Sequence, residues 1–292
     1  MRIKAENWKG FLFLSPWLIG LLVFTAYPII ASFVFSFTYY NGISSPEWTG
    51  LGNYVQLFRD PLFTKAIYNT IYLALIGIPI AQVISVLAAL LLNTRIRFRG
   101  VFRAVYFLPS IVPVVATALL WKWFLNPEFG PLNVFLMKLG LPAPGWLIDP
   151  AWAKPALILT GIWGIGSPMV IYLAGLQNIP GELYEAAMLD GAGRFASFFR
   201  ITLPMLSPVI LFNVVMGVIT SFQAFTTIFV MTNGGPDNST LVYALLIYRN
   251  AFQFYKMGYA SAMAWILLLL TAIAVLLVFK FFGKWGYFGA AE

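Results

Sequence analysis

Residues 66–92 read AIYNTIYLALIGIPIAQVISVLAALLL, an apolar run without one charged side chain. A helix needs about 20 such residues to cross the hydrocarbon core of a bilayer. Outward from this run the same signal recurs. Charge-free stretches occupy 11–37, 104–121, 155–176, 206–231 and 259–279. The expected architecture is therefore all-α and integral to the membrane, with six transmembrane helices at about 11–37, 67–92, 104–124, 155–176, 206–231 and 259–281. Composition agrees. Of 292 residues 61% are hydrophobic and only 10% charged, against about 25% charged in soluble domains. That is too little charge to cover a water-facing surface, and it excludes a soluble globular enzyme.

The chain contains no Cys and no His. This rules out disulfides, thiol chemistry, thiolate metal sites and imidazole ligands, so no metal site is expected. The net charge of +8 is scattered beside apolar runs. That pattern fits membrane topology and not nucleic acid. With the N-terminus in the cytoplasm, eleven cations fall inside: Arg2, Lys4, Lys9, Arg95, Arg97, Arg99, Arg103, Arg194, Arg200, Lys280 and Lys284. Seven fall in longer outside loops: Arg59, Lys65, Lys122, Lys138, Lys154, Arg249 and Lys256. Both termini, 1–10 and 283–292, are then cytoplasmic and flank one multi-pass domain, 11–282. The first apolar run is about twice the length of a signal-peptide core and reads as a retained helix. The outside stretch 126–154 has room for a short half-buried helix around Leu132–Leu139.

No ionisable residue lies deep in any span, which argues against proton relays, charged pumps and voltage sensors. No phosphate-cradling G-x-x-x-x-G-K-[ST] loop is present either. If this chain moves a solute uphill, the energy enters from another polypeptide, through a cytoplasmic loop.

The loop at 177–204 is unusual. Pro180 suits the first turn of a helix and Gly191 its C-terminal end. Glu182 and Glu185 sit near the positive end of the helix dipole. Leu183, Ala186, Ala187 and Asp190 share a face at helical spacing, shallow because of its alanines. A second short helix is expected near Phe195–Leu203, leading into Pro204. From the residues alone this loop reads equally as an amphipathic connector on the lipid surface.

Glu185-Ala186-Ala187, then Gly191, Ile201, Leu203 and Pro204 at set spacing, resembles the EAA loop of ABC importer permeases. The likeness extends along the chain through Gly50-Leu51-Gly52-Asn53-Tyr54, Asp60-Pro61, Asn69-Thr70, Phe98-Arg99-Gly100, Tyr106-Phe107-Leu108-Pro109 and Asn233-Gly234-Gly235-Pro236. These segments are similar to the carbohydrate-uptake branch, and within it to the first permease of maltose- and glycerol-phosphate-type systems. The resemblance implies a type I ABC importer transmembrane domain in a prokaryotic inner or plasma membrane. It implies a heterodimer with a second permease subunit, two copies of an ABC ATPase that bind ATP and Mg, an extracytoplasmic solute-binding protein and a sugar substrate. No cofactor and no catalysis are expected in this chain. The EAA loop would be the coupling helix, with Glu185 and Asp190 as polar contacts, Ala186 and Ala187 as the close-packed face and Gly191 as the turn. Glycerol-phosphate, or a self-sufficient secondary carrier or pore, remain the competing readings.

A sugar needs hydroxyl, amide and aromatic partners. Two stripes at i, i+3, i+4, i+7 supply them: Thr160, Trp163, Gly164 and Ser167 on the fourth span, and Gly217, Thr220, Ser221 and Ala224 on the fifth, with Asn213 and Gln223 nearby. The same stripes read equally as faces for close helix packing. Trp121 and Trp123 read as interface anchors, and Asn233 to Pro236 as an outer turn.

Overall fold

The computed structural model describes residues 3–94 and 97–282. Among these, the regular secondary structure is helical apart from one two-residue ladder that pairs Thr38–Tyr39 antiparallel with Glu47–Trp48. The C-terminal stretch 283–292, and with it Lys284, lies outside the described residues, as do Arg2 and Arg95.

Three helices are long and apolar enough to cross a membrane alone: Leu12–Phe35, Pro61–Asn93 and Met257–Phe282. Three further candidates are bent pairs: Arg99–Ser110 with Val114–Phe124 at 96°, Pro150–Ile162 with Gly166–Gln177 at 49°, and Arg194–Met205 with Ser207–Phe222 at 63°. Counted as one span each, the pairs bring the total to six. Hydropathy alone does not show the bends. The expected fifth span, 206–231, also ends early. Its helix stops at Phe222 and a separate short helix, Thr226–Met231, follows. The expected second helix starts earlier than its apolar run, at Pro61, where a proline suits the first turn.

The causes of the irregularities are local. Ile111-Val112-Pro113 separates the halves of the sharpest bend, and Pro113 holds extended backbone ahead of Val114. Two π-helical turns, Leu22–Ala26 and Phe198–Thr202, each precede a proline, Pro28 and Pro204. A proline ring strikes the carbonyl four residues back, and a widened turn relieves that clash.

The chain forms two compact units, Met1–Pro61 with Ile247–Leu268, and Leu62–Leu246 with Leu269–Glu292. In the first, Asn53 is the clamp. Its Nδ2 donates to the carbonyls of Ser36 and Thr38 at 2.9 Å each, and the Tyr54 hydroxyl donates to Ser36 Oγ at 2.8 Å. The Tyr259 hydroxyl reaches Asp60 Oδ2 at 3.1 Å. Asn53-Tyr54 and Asp60 therefore serve structure in this unit.

In the second unit Ala88, Ala89 and Leu92 of Pro61–Asn93 pack against Met169, Tyr172, Leu173 and Leu176 of Gly166–Gln177, with Leu206 beside them. Small residues set the spacing, as membrane helices require. A Cβ on Gly166 would meet Tyr106 O at 2.5 Å and Phe107 Cα at 2.8 Å; one on Gly175 would meet Val209 Cγ2 at 2.9 Å. The expected short helix of the 126–154 stretch is Pro131–Lys138. Asn133 secures it, donating to the carbonyls of Pro127 and Pro144 and accepting from Trp146 Nε1 at 2.7 Å.

Candidate functional site

The first site is the loop at 177–204. Its helix runs Gly181–Leu189, one residue after Pro180, which takes the N-cap position with extended backbone. Glu182 lies in the first turn. The C-terminal end is a Schellman motif. Gly191, at φ +77°, donates to the Met188 carbonyl at 3.1 Å, and Ala192 donates to the Ala187 carbonyl at 2.8 Å. The positive φ is why a glycine stands there. The second helix is longer than its apolar pattern suggests, Arg194–Met205, and carries Ile201, Leu203 and Pro204.

The helix Gly181–Leu189 meets the rest of the unit through Tyr184. Its hydroxyl lies 2.9 Å from Thr202 Oγ1, and its ring packs against the core formed by Tyr172 and Leu206. Along the expected face the residues differ in exposure. Ala187 is on the half-buried side with Tyr184, whereas Leu183, Glu185, Ala186 and Asp190 are exposed. Exposed apolar side chains continue along the loop: Met188, Leu189 at 90%, Phe195 at 84% and Phe199. This is a large apolar surface for a polar loop to leave uncovered, and such patches mark interaction sites.

The second site is a cavity of about 660 Å³ within the larger unit. All eight stripe residues and the neighbouring Asn213 line it: Thr160, Trp163, Gly164, Ser167, Asn213, Gly217, Thr220, Ser221 and Ala224. Gln223 does not; it caps the helix end and is exposed. The stripes are not continuous helix faces, however. Trp163 and Gly164 fall in the break between Ile162 and Gly166, and Ala224 lies beyond the helix end at Phe222. Irregular backbone at membrane depth is tolerated where it lines a cavity.

The stripe residues differ in how free they are. Thr160 is buried and donates to the Ala156 carbonyl at 2.9 Å, and Thr220 is exposed while bonding to its own helix. A Cβ on Gly217 would lie 3.3 Å from Ile78 Cγ2, so this glycine serves helix packing against Pro61–Asn93. Trp163 packs edge-to-face with Trp121, ring centroids 6.1 Å apart.

Gln82 and Thr117 also line the cavity. Gln82 was legible only as one amide in an apolar run. Its Oε1 accepts from the Tyr172 hydroxyl at 2.5 Å, and its Nε2 donates to the Asn213 carbonyl at 3.3 Å. A carbonyl can only accept, so the amide orientation is fixed. Asn213 in turn donates to the Val209 carbonyl. This relay joins three helices across one wall of the cavity. Among the described residues, no lysine, arginine or acidic residue lines it.

The loop 232–243 is fastened to the helix Pro61–Asn93. Asn69 Nδ2 donates to the carbonyls of Asn238 and Leu241, both at 2.9 Å. Thr70 Oγ1 accepts from the Tyr243 amide at 3.0 Å, and Lys65 Nζ donates to the Asp237 carbonyl. Thr240 bonds Thr232 and the Gly235 carbonyl, 2.7 Å each. Asn69-Thr70 and Asn233 to Pro236, far apart in sequence, are two halves of one structural joint.

Comparison with known proteins agrees with this architecture. Residues 81–285 match the family described as binding-protein-dependent transport system inner membrane component. A probable ABC transporter permease of Bacillus subtilis, YesP, is 38% identical over 99% of this chain and 95% of its own length. The lactose transport system permease LacF of Rhizobium radiobacter is 37% identical over 93% of each. A solved bacterial ABC transporter involved in import of the acidic polysaccharide alginate superposes with TM-score 0.84 at 27% identity, covering 97% of this chain and 99% of that one. The chain belongs to the family of binding-protein-dependent transport system inner membrane components. It is an ABC-transporter permease, a membrane transport subunit and not an enzyme.

Proposed function

We propose that this chain is the first of two permeases in an ATP-driven importer of neutral oligosaccharides. It works by alternating access, with both termini in the cytoplasm. The observation that carries the reading is the cavity, whose polar lining is hydroxyl and amide and whose aromatic members are Trp163 and Phe212, with no charged side chain among the described residues. Hydroxyls and amides exchange hydrogen bonds with sugar hydroxyls, and an aromatic face covers the apolar ring face. A phosphate ester or an acidic sugar would call for a cation, so the neutral class fits best. The naming of LacF for lactose and of a Thermococcus litoralis relative for trehalose and maltose supports the sugar class. The stripe residues and Gln82 would be the contacts.

The energy would come from two ATPase subunits that bind ATP and Mg, one of them gripping Gly181–Leu189. Exposed Glu185 and Asp190 offer charges, Ala186 a close approach, and Met188 and Leu189 apolar area. Ala187, Ile201, Leu203 and Pro204 would hold the helix on its span so that motion is transmitted. A solute-binding protein would deliver the sugar from outside.

The test is co-reconstitution in vesicles with the neighbouring-gene ATPase, second permease and binding protein, with labelled lactose, maltose and trehalose as probes. ATP-dependent uptake that needs every partner is expected. Uptake by this chain alone would overturn the proposal, as would normal uptake by Glu185→Lys.

A further inference from the structure

No residue of the helix Arg99–Phe107 is among the described residues that line the cavity. It is nine residues long, and every residue from Gly100 to Phe107 is exposed. At helical spacing Arg99 and Arg103 share one face, and Val101, Ala104 and Val105 take the opposite one, with Phe102 at its border. Val101 and Val105 are each 60% exposed. Neither Arg99 nor Arg103 has a hydrogen-bond or ion-pair partner among the described residues. Arg97 lies over the ring of Phe98 at 5.3 Å, and Phe98 is itself exposed.

Two facts place this basic end at the membrane surface. The helical stretch Arg99–Ser110 is about 18 Å long at 1.5 Å per residue, well short of a bilayer core. It also meets Val114–Phe124 at 96°, so the two do not form one straight span. The apolar flank can enter the acyl boundary only if the arginines stay at headgroup depth, the arrangement of an interfacial amphipathic helix. The helix is not loosely hung. Its far end rests on Gly166, where even a Cβ would strike the Tyr106 carbonyl and Ser110 Oγ, the latter at 2.6 Å. Charge selects the occupant. From 61 to 127 the sequence contains no Asp or Glu, so no acid on this stretch answers Arg97, Arg99 and Arg103.

We propose that Arg97, Arg99 and Arg103 form a binding site for the phosphate of an anionic phospholipid, with Val101, Phe102 and Val105 against its acyl chains. Arginines at i and i+4 stand about 6 Å apart at Cβ, a span that one phosphodiester bridges, and guanidinium pairs with phosphate in two-point fashion. The site is independent of which solute the permease carries.

The test uses the full chain in nanodiscs of equimolar phosphatidylcholine and phosphatidylglycerol, with retained lipid read by native mass spectrometry. Wild type is expected to enrich phosphatidylglycerol. R99Q/R103Q should lose roughly 25-fold of that preference, about fivefold per arginine, while R99K/R103K retains most of it. An unchanged preference in R99Q/R103Q overturns the site, and so does a wild type without preference. Should the double variant fail to fold, salt decides on wild type. A preference that falls with ionic strength supports the site, and a salt-independent one overturns it. In the assembled transporter, protection of these arginines from phenylglyoxal by the second permease in pure phosphatidylcholine would assign the face to a protein partner and overturn it as well.

Discussion

Two loops of the larger unit are built on opposite principles. The loop 232–243 is buried at its C-terminal half, where Thr240 and Leu241 have no exposed surface, and Lys65, Asn69 and Thr70 bond it to the helix Pro61–Asn93. The loop carrying Gly181–Leu189 is exposed over most of that helix, which touches the unit chiefly through Tyr184. The first spends its polar groups on its own backbone. The second leaves charges and apolar side chains to solvent, with its shape fixed only by a local cap. A family motif can therefore be a rivet or a handle. Burial and bonding tell them apart, and motif specificity does not.

The contrast can be broken at either end. Asn69→Ala removes two donors and strands the Asn238 and Leu241 carbonyls, so about 3 kcal/mol of stability is expected to go. Thermal unfolding in detergent and proteolysis at 232–243 read this out; an unchanged melting curve would mean the joint is not structural. Thr70→Val deletes the acceptor for the Tyr243 amide at nearly constant volume and should cost about 1–2 kcal/mol in the same assay. On the other loop, Gly191→Ala has open space for its Cβ but must hold φ +77°, costing about 1 kcal/mol. That loss should appear as local exchange of the Gly191 and Ala192 amides and not as global unfolding. Glu185→Lys should change stability by less than about 0.5 kcal/mol, because the side chain is exposed. It should nevertheless abolish ATP-dependent uptake in the reconstituted system. A large stability loss from Glu185→Lys would erase the distinction between handle and rivet.

The handle was the more legible of the two because its signals are local. Pro180 and Gly191 bracket nine helical residues, and capping rules operate within a turn of the chain. The inward side was not legible, because Tyr184 meets the core there through Thr202, which the π-helical turn before Pro204 carries. The rivet stayed hidden because its two halves lie about 170 residues apart in sequence. Each half could be seen as a motif, but nothing in either names its partner. The stripes were found and their geometry was not. Residues three and four apart on a presumed helix did reach one cavity, although the helix breaks between Ile162 and Gly166.

Charge-free runs, the one-sided charge of Arg99–Phe107 and the ends of Gly181–Leu189 follow from the sequence alone. They express transfer free energies and backbone preferences that each short segment carries by itself. The bends, the cavity, the turned-in Tyr184 and the fixed amide of Gln82 belong to tertiary structure. They exist only where a glycine lets two backbones touch, as at Gly166, or where a buried donor finds an acceptor on another helix, and no segment holds that information separately.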